Sequence, residues 1–235
     1  MADVTTPIPV AFNWSGGKDS AHALGILLQD DRYELRCLLT TVYGDDAVSS
    51  VHEVPVELLR QQADAIGVRL HTVKLATDDL TDYAEAIAAA AKDLRAEGVG
   101  AVAFGDLEHS GALKYREDLF GPLGLAVVEP LWAMTSQVCI EAFLQSQIDA
   151  RVIVVNADVL GPEHLGATLD QAFVDSLPKN CDPCGEFGEF HTFVVNAPYF
   201  RHKVEFTVER SERVERQIGT SAGVKTFSSW QLRIR

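Results

Sequence analysis

A chain of 235 residues, nearly half of them apolar, is long enough for one large domain or for a nucleotide domain with a smaller companion, and its composition argues against disorder. With 34 acidic residues against 20 basic ones the formal charge is −14, which opposes general nucleic-acid binding and leaves only a local basic patch as a route to it. The longest apolar stretches are too short and broken to span a membrane, and residues 1–9 lack the basic region and apolar run of a secretory signal, so a cytoplasmic location away from membranes is expected.

Apolar runs rich in β-branched residues alternate with stretches of helical period, the pattern of βα units around a parallel sheet. The first strand is expected at residues 10–14. It runs directly into Ser15-Gly16-Gly17-Lys18-Asp19-Ser20 and then a helix over 19–29. Two glycines let backbone N–H groups approach an anion, the helix start adds unpaired donors and a positive dipole end, and Lys18 adds a mobile positive charge. The pattern is not a Walker loop, which needs glycine where Phe12 stands and Ser or Thr in place of Asp19. An ordinary turn capped by Ser15 or Asp19 is the plainer alternative.

A second strand over 34–42 leads to a polar loop with Tyr43, Gly44, Asp45 and Asp46, then Val51-His52-Glu53-Val54-Pro55, where His52 is a candidate substrate contact or simply a surface histidine. A helix over 54–66, a strand over 68–75 and an Ala-rich helix over 79–97 follow, with Gly98 as its stop. The strand at 101–105 ends in Phe104-Gly105-Asp106, where Gly105 permits close backbone approach and Asp106 suits Mg²⁺, a ribose hydroxyl or a helix cap. The helix expected over 113–120 carries Lys114, Arg116, Glu117 and Asp118, which by composition alone read as a solvated face with local ion pairs. Beyond a strand at 126–129, helices at 136–147 and 166–176 flank a strand at 151–156, and the C-terminal part suits hairpins: strands over 191–195 and 202–209 joined by Asn196-Ala197-Pro198, then one over 225–235.

These elements make an α/β fold, a doubly wound and mainly parallel Rossmann-like sheet over residues 1–130, with a smaller mixed α+β domain over 131–235. Ligands of such sheets sit beyond the carboxyl ends of the strands. The densest polar cluster, Cys181-Asp182-Pro183-Cys184-Gly185-Glu186-Phe187-Gly188-Glu189-Phe190-His191-Thr192, is a poor core segment and a plausible cradle for an amine or ammonia, or else an acidic surface hairpin. Its Cys-x-x-Cys lacks enough partners for a structural zinc site, although His191 or His202 would lend one. Four cysteines, Cys37, Cys139, Cys181 and Cys184, do not make a disulfide scaffold, and a reduced pair or a sulfur-transfer pair are the remaining readings.

Ser15 to Ser20 resembles the pyrophosphate loop of the ATP pyrophosphatases, adenine nucleotide α-hydrolase-like enzymes of HUP-type fold that cut ATP between its α- and β-phosphates. The wider chain resembles one branch of that superfamily, the diphthine–ammonia ligase family and its bacterial relatives of unassigned substrate. The resemblance rests on that loop, on Val51-His52-Glu53-Val54-Pro55 with Leu58-Leu59 and Gln62-Ala63, on Phe104-Gly105-Asp106, on Lys114-Tyr115-Arg116-Glu117 with Glu129-Pro130-Leu131-Trp132, and on Cys184 to Phe193. Phe187 departs from it, standing where relatives usually carry Asn or Gly, and the chain lacks the extra domains of the larger eukaryotic members, which implies a minimal form.

The resemblance implies an AMP-forming carboxylate–ammonia ligase that takes ATP and Mg²⁺. ATP falls to Ser15, Gly16, Gly17, Lys18, Asp19, Ser20, Gly105 and Asp106, and the metal to Asp19 and Asp106. Catalysis falls to Lys18, Asp19, Glu186 and Glu189. The acceptor and ammonia fall to His52, Arg116, Glu117, Glu186, Glu189, His191 and Thr192. Diphthine is the acceptor of the archetypal members, and the bacterial branch implies another small-molecule or protein carboxylate. A homodimer is left open, as are two alternatives: a tRNA sulfur transferase using Cys181 and Cys184, which the acidic balance opposes, and a non-catalytic ATP-binding protein of universal-stress type, whose glycine pattern lies elsewhere in the chain.

Overall fold

The computed structural model describes residues 6–43, 48–49, 54–76, 82–107, 112–220 and 223–235. The order of elements is β1 (Ile8–Asn13), α1 (Lys18–Leu27), β2 (Tyr33–Tyr43), β3 (Val48–Ser49), α2 (Val56–Ile66), β4 (Arg69–Lys74), α3 (Tyr83–Ala96), β5 (Ala101–Ala103), α4 (Ala112–Phe120) and β6 (Ala126–Val128). It continues with α5 (Ser136–Gln145), β7 (Asp149–Asn156), α6 (Gln171–Ser176), β8 (Phe190–Asn196), β9 (Val208–Thr220) and β10 (Gly223–Ile234). Among the described residues no helix is long and apolar enough to cross a membrane.

Five strands form a parallel sheet in the order β4-β2-β1-β5-β6, and short β3 pairs antiparallel with the end of β2. Side chains alternate across a strand, so one strand feeds two cores when both faces are covered. Val10 and Phe12 of β1 join the apolar cluster under α1 and α2, whereas Ala11 joins a second cluster with Ile87, Ala91 and Leu94 of α3. The expected doubly wound, mainly parallel α/β sheet is thus present.

The second sheet is antiparallel, in the order β8-β7-β10-β9. Its buried residues Ala150, Val152, Phe193 and Val194 belong to the same cluster as Leu24, Leu58 and Leu59, so the two sheets share an apolar core through α1 and α2. Gln62 of α2 sits fully buried in that contact. Its Oε1 accepts the Trp14 indole N–H at 2.8 Å, and its Nε2 donates to the Gly16 carbonyl at 3.1 Å and to the Val194 carbonyl at 2.6 Å.

The C-terminal strands differ from the sequence expectation. Residues 202–207 form no strand; β9 begins at Val208 and pairs with β10 almost along its whole length. Asn196-Ala197-Pro198 does not join paired strands, because β8 is an edge whose partner is β7. The helix expected over 166–176 starts only at Gln171: Thr168 bridges Arg151, and the Asp170 side chain caps α6 by accepting the Phe173 N–H at 2.9 Å.

Candidate active site

A cavity of about 760 Å³ opens beyond the carboxyl ends of the parallel strands, where open α/β sheets bind ligands. Ser15, Gly17, Lys18, Asp19 and Ser20 form one wall, and Gly185, Glu186, Gly188, Phe190, His191 and Thr192 form another. Gly105, Asp106 and Arg116 also line it. The structure therefore brings together most of the residues singled out from sequence. His52 lies outside the described residues, as do Gly44, Asp45 and Asp46. Glu117 is exposed on α4 and does not line the cavity.

The loop after β1 is held by its own serines and by the second sheet. Ser15 Oγ accepts the Gly17 N–H at 3.3 Å and lies 3.0 Å from Ser20 Oγ, which donates to the Gly17 carbonyl at 3.0 Å. Gly16 takes φ = +81°, and a Cβ there would fall 2.6 Å from Leu59 and 2.8 Å from Gln62. Its carbonyl accepts the Val194 N–H at 2.9 Å. Gly16 thus fixes the turn against β8, while Gly17 faces the cavity. Gly105 also serves close packing: a Cβ would meet the backbone of Asp19 and Ser20 at 2.7–2.8 Å, so the loop after β5 presses on the first turn of α1.

Helix α1 has no capping side chain of its own. The cap comes from β8, where Thr192 Oγ1 accepts the Lys18 N–H at 3.0 Å. The buried Lys18 ammonium donates to both Asp19 carboxylate oxygens at 2.6 Å and lies 5.8 Å from the centre of the Phe190 ring. Burial alone would pull its pKa down; Asp19, by charge and hydrogen bond, outweighs that and holds it above the usual lysine value.

Glu186 and Glu189 differ in kind. Burial, then Asp19, pushes the Glu186 carboxyl up to about 7, which poises it to exchange a proton near neutrality. Glu189 is buried and absent from the cavity wall. Its Oε1 accepts the Asp182 N–H at 3.0 Å and its Oε2 the Phe187 N–H at 2.9 Å, so it shapes the loop that carries Glu186.

Arg116 is clamped between two carboxylates, donating from Nη2 to Asp106 at 2.6 Å and from Nη1 to Glu129 at 2.7 Å, with its guanidinium 4.0 Å over the Phe104 ring. The Glu129 side chain is only 3% exposed. Among the described residues no group of three or more metal-ligating side chains converges. Asp19 and Asp106 both line the cavity, and Mg²⁺ commonly takes one or two carboxylates together with substrate phosphates, so this donor set fits an ion carried in by phosphate.

The cysteines pair differently from their sequence spacing. The Cys184 thiol donates to the Ser136 carbonyl at 3.1 Å at the start of α5, and Cys139 Sγ lies 3.7 Å from His22 Nδ1. Coupling to Cys184 lowers the Cys139 pKa, and the same coupling together with burial raises that of Cys184. Burial, Glu189 and Asp182 push Cys181 up to about 11.

Sequence reasoning passed over Thr40, Thr41, Ser49 and Tyr83, which also line the cavity. The first two stand near the carboxyl end of β2, and that position was the available signal. Tyr83, at the start of α3, carries no such mark.

The family model described as diphthamide synthase N-terminal domain matches residues 8–125, and that described as diphthamide synthase C-terminal domain matches residues 135–225. The chain is 35% identical over 103 residues to the diphthine–ammonia ligase of Homo sapiens, covering 42% of this chain and 38% of that protein. It is 27% identical over 232 residues to that of Saccharomyces cerevisiae, covering 80% of this chain and 33% of that protein, and 28% identical over 231 residues to that of Mus musculus, covering 87% and 84%. The chain therefore spans about a third of the length of the human and yeast relatives. With one family model covering half of its residues and a second most of the remainder, the chain belongs to the diphthamide synthase family.

Proposed function

We propose that this protein is an ATP-dependent, AMP-forming ligase that joins ammonia to a substrate carboxylate. The reading rests above all on one arrangement: a glycine-rich loop with Lys18 and a second loop with Glu186 and His191 open onto the same cavity. The first has the chemistry to bind phosphate, and the second has the chemistry to handle ammonium. The names of the human, yeast and mouse relatives support it and make diphthine the first acceptor to test. The resemblance to the bacterial branch favours a different carboxylate.

In this reaction a carboxylate oxygen attacks the α-phosphorus of ATP and pyrophosphate leaves; ammonia then attacks the activated acyl carbon and AMP departs, leaving the amide. Gly17, Lys18 and Ser20 bind the outer phosphates. Lys18, kept charged chiefly by Asp19, offsets the charge of the leaving pyrophosphate. Asp19 and Asp106 would hold Mg²⁺, which supplies further charge neutralisation there. Glu186 takes the proton that ammonium must lose before its nitrogen can attack. Arg116 orients Asp106 from the cavity wall, and Glu189 acts through the shape of the loop. A sulfur-transfer role is disfavoured, since Cys181 and Cys184 are both held as thiols rather than thiolates.

The test is a screen of carboxylates with ammonium for release of AMP and pyrophosphate. Lys18→Ala should weaken ATP binding, whereas Glu186→Gln should leave binding intact and suppress amide formation. ADP and phosphate as products would sink the proposal.

A further inference from the structure

A second cavity of about 220 Å³ adjoins the first, sharing Gly188 and His191 with it. Its floor is a face of the antiparallel sheet: Phe227, Ser229 and Gln231 alternate along β10, with Asn156 opposite Ser229 on β7 and Arg216 opposite Phe227 on β9. Phe187 stands at its edge, 82% exposed.

Three observations bear on what it holds. The described large apolar side chains that remain exposed include three aromatics, Tyr115 (49%), Phe187 (82%) and Phe227 (40%), and each lines one of these adjoining cavities. Exposed aromatic surface gathered at a cavity marks a place where a ligand covers it. Although the chain carries 34 acidic residues, the described lining of this cavity contains no carboxylate that would repel an acid. The space, about 220 Å³, is enough for one ring with a short chain.

We infer that the cavity between Phe187 and Phe227 is the acceptor subsite, and that it selects small carboxylic acids with a flat, unsaturated ring. The inference rests on the ligase reading, since that reading supplies the carboxylate chemistry next door. The ring stacks on Phe187 and Phe227, the amides and hydroxyl of Asn156, Gln231 and Ser229 serve polar substituents, and the carboxyl group passes Gly188 and His191 towards the larger cavity.

The probe is 3-phenylpropanoate, compared with its saturated counterpart 3-cyclohexylpropanoate, titrated calorimetrically into the intact protein without ATP. The ring acid should bind about tenfold more tightly, a ratio typical of aromatic stacking. Phe187→Ala should abolish the difference and Phe187→Tyr retain it. Because Phe187 is mostly exposed, neither change should impair folding; Phe227→Ala gives an independent reading. Equal affinities in the unaltered protein, or a preference that survives both alanine variants, overturn the subsite. AMP release from the carboxylate screen without any ring preference would overturn the subsite and leave the ligase reading standing. Ring-selective binding with ADP and phosphate as products would do the reverse.

Discussion

Thr192 and Lys18 are 174 positions apart in sequence, yet the Thr192 hydroxyl caps the helix that begins at Lys18, accepting its backbone N–H at 3.0 Å. The helix start that faces the cavity is therefore completed by the second sheet. Thr192→Val keeps the shape and removes the acceptor, so stability should fall by about 1 kcal/mol, as for loss of an N-cap. Urea denaturation measures it, and Thr192→Ser should restore most of the loss. No change with Val would mean that the bond contributes nothing.

Glu186 gives a pH signature. Its carboxyl titrates at about 7 in the fold against an ordinary 4.5, burial being the main cause and Asp19 the next. Between those values the folded chain binds more protons than the unfolded one, so the associated stability is present at acid pH and is lost as pH rises through about 7. Glu186→Gln should therefore raise Tm at pH 8 relative to the unaltered protein and change it little at pH 4.5. Calorimetry at the two values decides; an equal shift at both would refute the assignment. Ligase activity should rise with pH near 7 in the unaltered protein and lose that limb in the variant.

Arg116 neutralises Glu129, whose side chain is almost wholly buried and whose Oε2 has no hydrogen-bond partner among the described residues. Arg116→Ala would strand that charge, at a cost of about 3 kcal/mol by analogy with broken buried pairs. The double variant Arg116→Ala/Glu129→Gln should recover a large part of it in denaturant unfolding. Simple additivity of the two losses would show that the residues are not coupled.

Glu189→Gln replaces one of two acceptors by an NH₂ group facing a backbone N–H. A loss of about 1–3 kcal/mol, the cost of an unsatisfied buried donor, should appear as faster amide hydrogen exchange at Asp182 or Phe187. Unchanged exchange at both amides would place the carboxylate's role elsewhere.

The N-terminal half was legible because its central strands β1 and β5 are apolar on both faces and helices such as α2 are amphipathic, so the period marks these elements and the loop after β1 falls where ligand chemistry belongs. The β9 sequence VERSERVERQIGT has no such pattern, since charged residues recur on both faces; pairing with β10 defines the strand, and that is not a local property. Glu186 and Glu189, three apart in a glycine-flanked loop, look equivalent in sequence and separate only when backbone N–H groups claim both oxygens of Glu189. Cys184 likewise finds its neighbours on α5 rather than at the Cys-x-x-Cys spacing. Gln62 carried a usable signal, a polar residue on the buried stripe of α2 beside Leu58, Leu59 and Ala63, but nothing local names its three partners.

That glutamine bears on how the molecule comes apart. Its amide is shared among the indole after β1, the glycine turn and an edge strand of the other sheet, and neither half can melt without stranding these groups inside the remaining one. Heating should thus give a single all-or-none endotherm, with calorimetric and van't Hoff enthalpies in agreement, rather than one step per sheet.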